Sequence, residues 1–335
     1  MALSTKVEAF MADLVNYSSG DVRTDDYSRL LYSTDASIYQ VMPYGVFFPK
    51  TVEDVQAAMT LAASYEMPVL ARTAGSSLVG QAVNEALIVD FTRHLNQVLE
   101  LNVEEHWVKV QPGIVLDELN TYLRPHGLQF GPDPASSNRA AMGGIVSNNS
   151  TGAHSILYGM TADHVLEMSV ILSDASETHF GPLEPAGVEK KLQLDGLEGD
   201  IYRDILALTG DPKNQAVIRE GTPRHWRRCG GYNLDRLVPD DGLAFRVPRD
   251  PRFNLAKLVS GAEGTLAVMT DIKLNLVPLP KMTALAIVHF DRNGEVELSH
   301  RLSQESMHDW IEFQQFGRPV KLGLSDSKGI QGFWC

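Results

Sequence analysis

Apolar positions in this chain recur in two rhythms, and their alternation sorts the sequence into helices and strands. Residues 1–40 read as a helical lead-in, because MALSTKVEAFMADL carries an amphipathic helical rhythm with acidic residues in it. Over residues 46–98 the order is strand, helix, strand, loop, strand. Thr51 is placed to cap that helix, Glu53 and Asp54 lie in its first turn, and Val55, Ala58, Met59 and Ala62 form its apolar stripe. Residues 67–71 (MPVLA) and 87–91 (LIVDF) are short apolar runs. The second is broken only by Asp90, as in a strand covered on both faces. This predicts a small α/β subdomain whose loops face a ligand.

A second subdomain begins near residue 106. Residues 107–110 predict a strand, 115–123 a helix ending before Pro125, and 164–172 (HVLEMSVIL) a strand followed by an acidic turn. Residues 182–226 are charged and helix-prone, which predicts an insertion on the surface. Residues 257–277 return to strand, turn, strand, with Gly261 and Gly264 at the turn. The subdomains thus run over 41–105 and 106–281. Residues 284–290 (ALAIVHF) predict one more strand, whereas 291–335 are polar and lack clear periodicity, so 282–335 stand apart. The chain has no internal repeat.

Candidate chemistry lies where the rhythm breaks down. Residues 132–159, PDPASSNRAAMGGIVSNNSTGAHSILYG, combine Gly143, Gly144 and Gly152 with the Asn148–Asn149 pair and many hydroxyl residues, almost without charge. Glycine admits a close approach that a Cβ would block, and Ser, Thr and Asn offer short hydrogen bonds, so this composition suits backbone wrapped around a ligand. A phosphate-bearing cofactor is the natural occupant. Residues 72–81 (RTAGSSLVGQ) leave the MPVLA strand with the same character, and residues 260–267 (SGAEGTLA) repeat it. Backbone N–H groups in such turns converge on anions, although neither G-x-G-x-x-G nor G-x-x-x-x-G-K-[ST] is present.

Composition narrows the partners. The net charge of −13 argues against nucleic acid and against an anionic membrane surface. With Arg72 and Arg139 the only cations in the first two segments, the phosphates are expected to be met by backbone dipoles more than by net charge. Two cysteines, Cys229 and Cys335, are too few for a disulfide scaffold, an iron–sulfur cluster or a structural zinc site. No stretch approaches the ~20 apolar residues of a membrane span. A reducing cytoplasm is therefore the expected location, with any membrane association peripheral or through a partner.

The order of these motifs resembles the flavoenzymes with a vanillyl-alcohol-oxidase-type FAD-binding domain, and within them the FAD-linked D-2-hydroxy-acid dehydrogenases acting on D-lactate, glycolate or D-2-hydroxyglutarate. Residues 32–39 (YSTDASIY) resemble the entry motif, 48–55 (FPKTVEDV) the start of the first helix, 72–81 the first pyrophosphate loop, and 110–113 (VQPG) the strand end after it. Residues 132–159 resemble the main flavin-wrapping stretch, and GAEGTL with VMTDIKLNLVPLP the closing strand. The likeness covers roughly residues 24–281. It implies an α+β, two-subdomain (PCMH-type) FAD-binding fold, with the C-terminal cap domain missing or replaced. The residues it assigns to the cofactor are Arg72, Gly75, Ser76, Ser77, Leu78, Gly80 and Gln81; Pro132, Asp133, Ser136, Gly143, Gly144, Asn148, Asn149 and Gly152; and Glu263, Gly264 and Val268. Relatives that attach flavin covalently carry a histidine after the first loop's glycine, whereas Ser76 follows Gly75 here, so noncovalent FAD is implied.

The resemblance also implies a reaction: hydride transfer from C2 of a small D-2-hydroxy acid to flavin N5, giving a 2-oxo acid. It carries over no metal ligand, since the family's metal-binding histidines belong to the cap. Arg228, in RRCGGYNL, is the candidate cation to face the flavin or a carboxylate, the alternative being a turn whose Tyr232 packs in the core. Glu263 either bonds cofactor hydroxyls or caps a strand end. Asp133 has an Asx-turn alternative, His154, His164 and His289 read as satisfied polar or packed residues, and Cys229 as an inert buried thiol. Two other functions remain open: an FAD-dependent sugar or alditol oxidase of the same fold, and a flavin-binding fragment or subunit without turnover of its own. RRCGGYNL and the charged insertion resemble large relatives with a fused iron–sulfur domain; the electron acceptor is left open, with such a domain or a quinone or cytochrome chain as the candidates.

Overall fold

The structure, a computed structural model, describes residues 3–223, 227–239 and 250–281. The helices and strands among the described residues lie in one compact unit, Met1–Pro278. The expected strand at 284–290 and the polar tract 291–335 fall outside the described residues, as does His289.

The chain opens with α1 (Thr5–Tyr17), β1 (Asp21–Arg23) and α2 (Asp26–Leu31). The lead-in is thus not wholly helical: DVR is short and pairs antiparallel with the next strand, a tertiary contact that its polar sequence does not announce. β2 (Gly45–Phe48), α3 (Val52–Ser64), β3 (Val69–Arg72) and β4 (Leu87–Asp90) follow in the expected order. They form a four-stranded sheet, β1-β2-β4-β3, in which β4 pairs parallel with both neighbours and every one of its residues is buried. Thr51 does cap α3: its hydroxyl accepts from the Asp54 amide at 3.3 Å, while the Asp54 carboxylate accepts from the amides of Ser19, Lys50 and Thr51. Val55, Ala58 and Ala62 are buried beside Phe10 and Leu14 of α1 and Phe47 of β2.

The second layer is a five-stranded antiparallel sheet, β5-β6-β10-β8-β9, built from β5 (Val98–Asn102), β6 (Trp107–Val110), β8 (Val165–Ile171), β9 (Glu177–Phe180) and β10 (Val268–Asn275). Between them come α4 (Leu116–Leu123), β7 (Leu128–Gln129), α5 (Met142–Asn148), α6 (Ser155–Tyr158) and α7 (Thr161–His164). Ile171 and Val268 join the first sheet's core, so the two layers share buried surface. The region 182–226 holds α8 (Pro185–Leu192), α9 (Leu197–Gly210) and α10 (Pro212–Gly221). It is not simply a surface insertion, because Tyr202 of α9 is fully buried and packs edge-on to Phe180 at 6.2 Å between ring centroids. The strand expected from residue 257 is instead a helical turn, α11 (Ala256–Val259); a four-residue apolar run does not distinguish the two. β11 (Val277–Pro278) closes the fold against β7.

Candidate FAD site

The three small-residue segments converge. A cavity of about 430 Å3, within the range of small-molecule sites, is lined by the loop after β3, by α5 with the turns on either side of it, and by the turn before β10. From the first loop come Arg72, Thr73, Gly75, Ser76, Ser77, Leu78 and Gln81. Ser136, Gly143, Gly144 and Asn148 come from the second segment, and Glu263 and Gly264 from the third. Among the described residues the backbone N–H groups of Gly75, Ser76, Ser77 and Leu78 make no hydrogen bond. Consecutive unpartnered amides in a turn form an anion-binding concavity, which a pyrophosphate fits. Gly144 widens the cradle: a Cβ there would meet only Thr73 Oγ1, at 2.9 Å, within the 4 Å radius.

A polar chain ties the three segments together. The Ser77 hydroxyl donates to Gln81 Oε1; Gln81 Nε2 donates to Glu263 Oε1 at 3.0 Å; and Asn148 Nδ2 reaches the same oxygen at 3.4 Å. Ser150 Oγ donates to Asn148 Oδ1 at 3.0 Å. Underneath, the amides of Gly261 and Glu263 donate to the carbonyls of Val146 and Ser147, each at 2.9 Å, docking the third turn on the end of α5.

Several expected cofactor residues are engaged with the protein itself. Arg72 borders the cavity, yet its guanidinium donates to the carbonyls of Tyr32, Thr34 and Ala82 and lies over the Tyr32 ring, stitching the entry segment to the loop. Burial, then the bond to Asp90, raises the Tyr32 hydroxyl pKa well above its ordinary value and keeps it a donor. Gly80 and Gly75 have φ of +85° and +63°; Gly80 faces the Tyr39 ring and Gly75 the Arg72 guanidinium, so both glycines answer backbone geometry and protein contacts. Asn149 lies off the cavity, 1 % exposed, where its amide bonds Arg228 O and the Met160 sulfur and its carbonyl accepts from Ala162 N. Gly152 also lies off the cavity and is required by Asp133, whose carbonyl oxygen would be 2.0 Å from a Cβ. Asp133 accepts from the His154 amide at 2.8 Å and pairs with its ring, which is a staple across the segment and not an Asx turn. Pro132 and Val268 lie outside the lining.

Besides Arg72, the cavity lining among the described residues includes Arg227, whose Nε donates to Thr151 Oγ1 at 2.8 Å. Its neighbour Arg228 is turned to Asp235, in an ion pair whose side chains are 12 % and 4 % exposed. Tyr232 is half exposed and its hydroxyl meets Thr265, so it does not pack in the core; Cys229 is exposed and borders the cavity, contrary to a buried thiol. His164 is a satisfied core residue: burial lowers its pKa, the neutral ring donates from Nε2 to Tyr158 O at 2.7 Å, and Nδ1 accepts from Asn275. Among the described residues no group of three or more His, Cys, Asp or Glu side chains is arranged to hold a metal. Pro112, Ser147, Ser150 and Thr151 line the cavity without having been singled out, although all stand in or beside the motifs. No helix among the described residues is long and apolar enough to cross a membrane.

Comparison with known proteins agrees with this geometry. Residues 43–181 match the FAD binding domain family. The chain is 37 % identical over 276 residues to D-2-hydroxyglutarate dehydrogenase of Pantoea ananatis, covering 82 % of this chain and 26 % of that protein. It is 28 % identical over 275 residues to the glycolate oxidase subunit GlcD of Bacillus subtilis, covering 80 % of this chain and 45 % of that one. Among solved structures, alkyldihydroxyacetonephosphate synthase superposes with a TM-score of 0.60 at 17 % identity, over 89 % of this chain and 49 % of that one, which shows the vanillyl-alcohol-oxidase-type fold. The chain spans about a quarter of the length of the D-2-hydroxyglutarate dehydrogenases it matches. With an FAD-binding domain as its core and FAD as its cofactor, the chain belongs to the FAD-linked hydroxy-acid dehydrogenase family.

Proposed function

We propose that residues 41–281 form the flavin-binding part of an enzyme that oxidises a small D-2-hydroxy acid to the 2-oxo acid, with FAD held noncovalently. The observation that carries the reading is the row of four amides, 75–78, that make no hydrogen bond among the described residues, in a loop lining a cavity that α5 and the turn at Glu263 complete. Ser76, at the position after Gly75, offers no ring nitrogen for a covalent bond to flavin. Bound FAD supplies the hydride acceptor at N5. The chain's residues bind and orient it: the amides take the pyrophosphate, Gly144 lets backbone come close, and Arg227 places a cation at the wall formed with Thr151. Arg227, and not Arg228, is the residue we assign to an anionic substrate group, and the electron acceptor is a partner such as an iron–sulfur domain or a quinone or cytochrome chain.

The purified chain, titrated with FAD, tests this directly. Acid precipitation is expected to leave yellow flavin in the supernatant; flavin in the pellet overturns noncovalent binding. Anaerobic bleaching of the oxidised flavin band by D-2-hydroxyglutarate, D-lactate and glycolate, with an alditol as the competing substrate, tests the substrate class. Faster bleaching by the alditol transfers the assignment to the sugar or alditol oxidases.

A further inference from the structure

Glu263 occupies an unusual backbone state at the point where the three loops meet. Its φ is +51°, between Gly261 at +88° and Gly264 at +78°. Gly and, less often, Asn or Asp adopt this region readily; a glutamate held there signals that surrounding structure over-determines the position. What holds it is on both sides of the peptide. Its amide is fixed to Ser147 O, at the end of α5. Its carboxylate Oε1 receives Gln81 Nε2, 182 residues away in sequence, and Asn148 Nδ2, 115 residues away. Gln81 in turn receives the Ser77 hydroxyl, in the middle of the amide row that opens on the cavity.

We infer that Glu263 is a positioning residue: one carboxylate oxygen gathers the first loop and α5 into their cofactor-ready arrangement before any ligand arrives. The left-handed backbone is what aims the side chain at both donors. A glycine in its place would relieve the steric penalty and lose the clamp, so backbone comfort and site order are set against each other at this residue. The clamp acts through Gln81 and Asn148. Its consequence for cofactor binding rests on the FAD reading above, whereas its consequence for loop order does not.

Amide hydrogen exchange on the ligand-free 335-residue chain and FAD titration together test it. Glu263→Gly is expected to leave the unfolding midpoint unchanged or higher, yet to speed exchange by about tenfold, the size of one hydrogen bond to a charged group, both in 82–83, whose amides bond Asp35 and Gly80 O, and in 147–150. Glu263→Gln, which keeps an acceptor oxygen, should retain most of the protection. Gln81→Ala should weaken FAD about tenfold in the parent chain and have no further effect in the Glu263→Gly background, because the two residues act as one unit. Faster exchange confined to the turn 261–265, or additive effects of the two substitutions on FAD affinity, overturns the inference. A parent chain that binds no FAD would count against the cofactor reading alone, and the exchange measurement would still decide the clamp.

Discussion

Replacing Gly144 by alanine is expected to weaken cofactor affinity while leaving the stability of the ligand-free chain nearly unchanged. The residue lies in the first turn of α5 with helical backbone, so alanine there is favoured over glycine by about 1 kcal/mol from helix propensity alone. Against this stands a single close contact, the 2.9 Å between the new Cβ and Thr73 Oγ1. That atom ends a rotatable side chain, and displacing it from its rotamer costs about 0.5–1.5 kcal/mol. The two terms nearly cancel, leaving the ligand-free chain within about 1 kcal/mol of the parent. The methyl group, however, enters the cavity where backbone is to meet the cofactor. Loss of that approach should weaken FAD at least about tenfold, or ~1.4 kcal/mol, and Gly144→Val, larger and β-branched, should weaken it further. Urea unfolding of the ligand-free chain and quenching of flavin fluorescence measure the two quantities separately. Parent-like FAD affinity in both variants would refute the reasoning and leave α5 as an ordinary wall of the fold.

Three further substitutions separate ligand contact from protein contact. Gly152→Ala forces a Cβ to 2.0 Å from Asp133 O and should cost about 2–3 kcal/mol in chemical denaturation; an unchanged midpoint would contradict the packing. Arg228→Met removes the cation that holds the buried Asp235 carboxylate, for a loss of about 3 kcal/mol, whereas Arg227→Met should cost less stability and weaken binding of an anionic ligand. The reverse pattern in denaturation and titration would return the role to Arg228. Asp54, 5 % exposed, has its carboxyl pKa pushed up by burial but held below its ordinary value on balance by bonds from Ser19, Lys50 and Thr51. Its stabilisation is therefore complete above the unfolded carboxyl pKa and fades as pH falls through the lower folded value. Asp54→Ala should cost about 3 kcal/mol at neutral pH and flatten the acid limb of the stability curve; an acid limb as steep as the parent's would argue against it.

What the sequence made legible was the location of backbone that comes unusually close to something. Runs of Gly, Ser and Asn at 72–81, 132–159 and 260–267 mark such backbone because few other residues allow it, and all three border one cavity. Thr51 and the stripe of α3 were readable for a similar reason, since capping and helical burial follow from spacing within a dozen residues. What the residues approach is a long-range property that spacing does not carry. Gly152 looks like Gly144 in the sequence, yet its missing side chain makes room for Asp133, while Gly144 faces the cavity. Arg227 and Arg228 are likewise adjacent cations on irregular backbone, with no periodicity to say which one turns outward; a buried carboxylate seven residues on decides it. Asn149 takes the left-handed position that ends α5, at φ +53°, and this turn sends it inward while Asn148 stays on the cavity wall. A glycine-rich motif therefore identifies close approach, and the neighbours across the fold decide whether the thing approached is cofactor or protein. On that ground Gly144, and not Gly152, is the glycine whose substitution reports on the ligand.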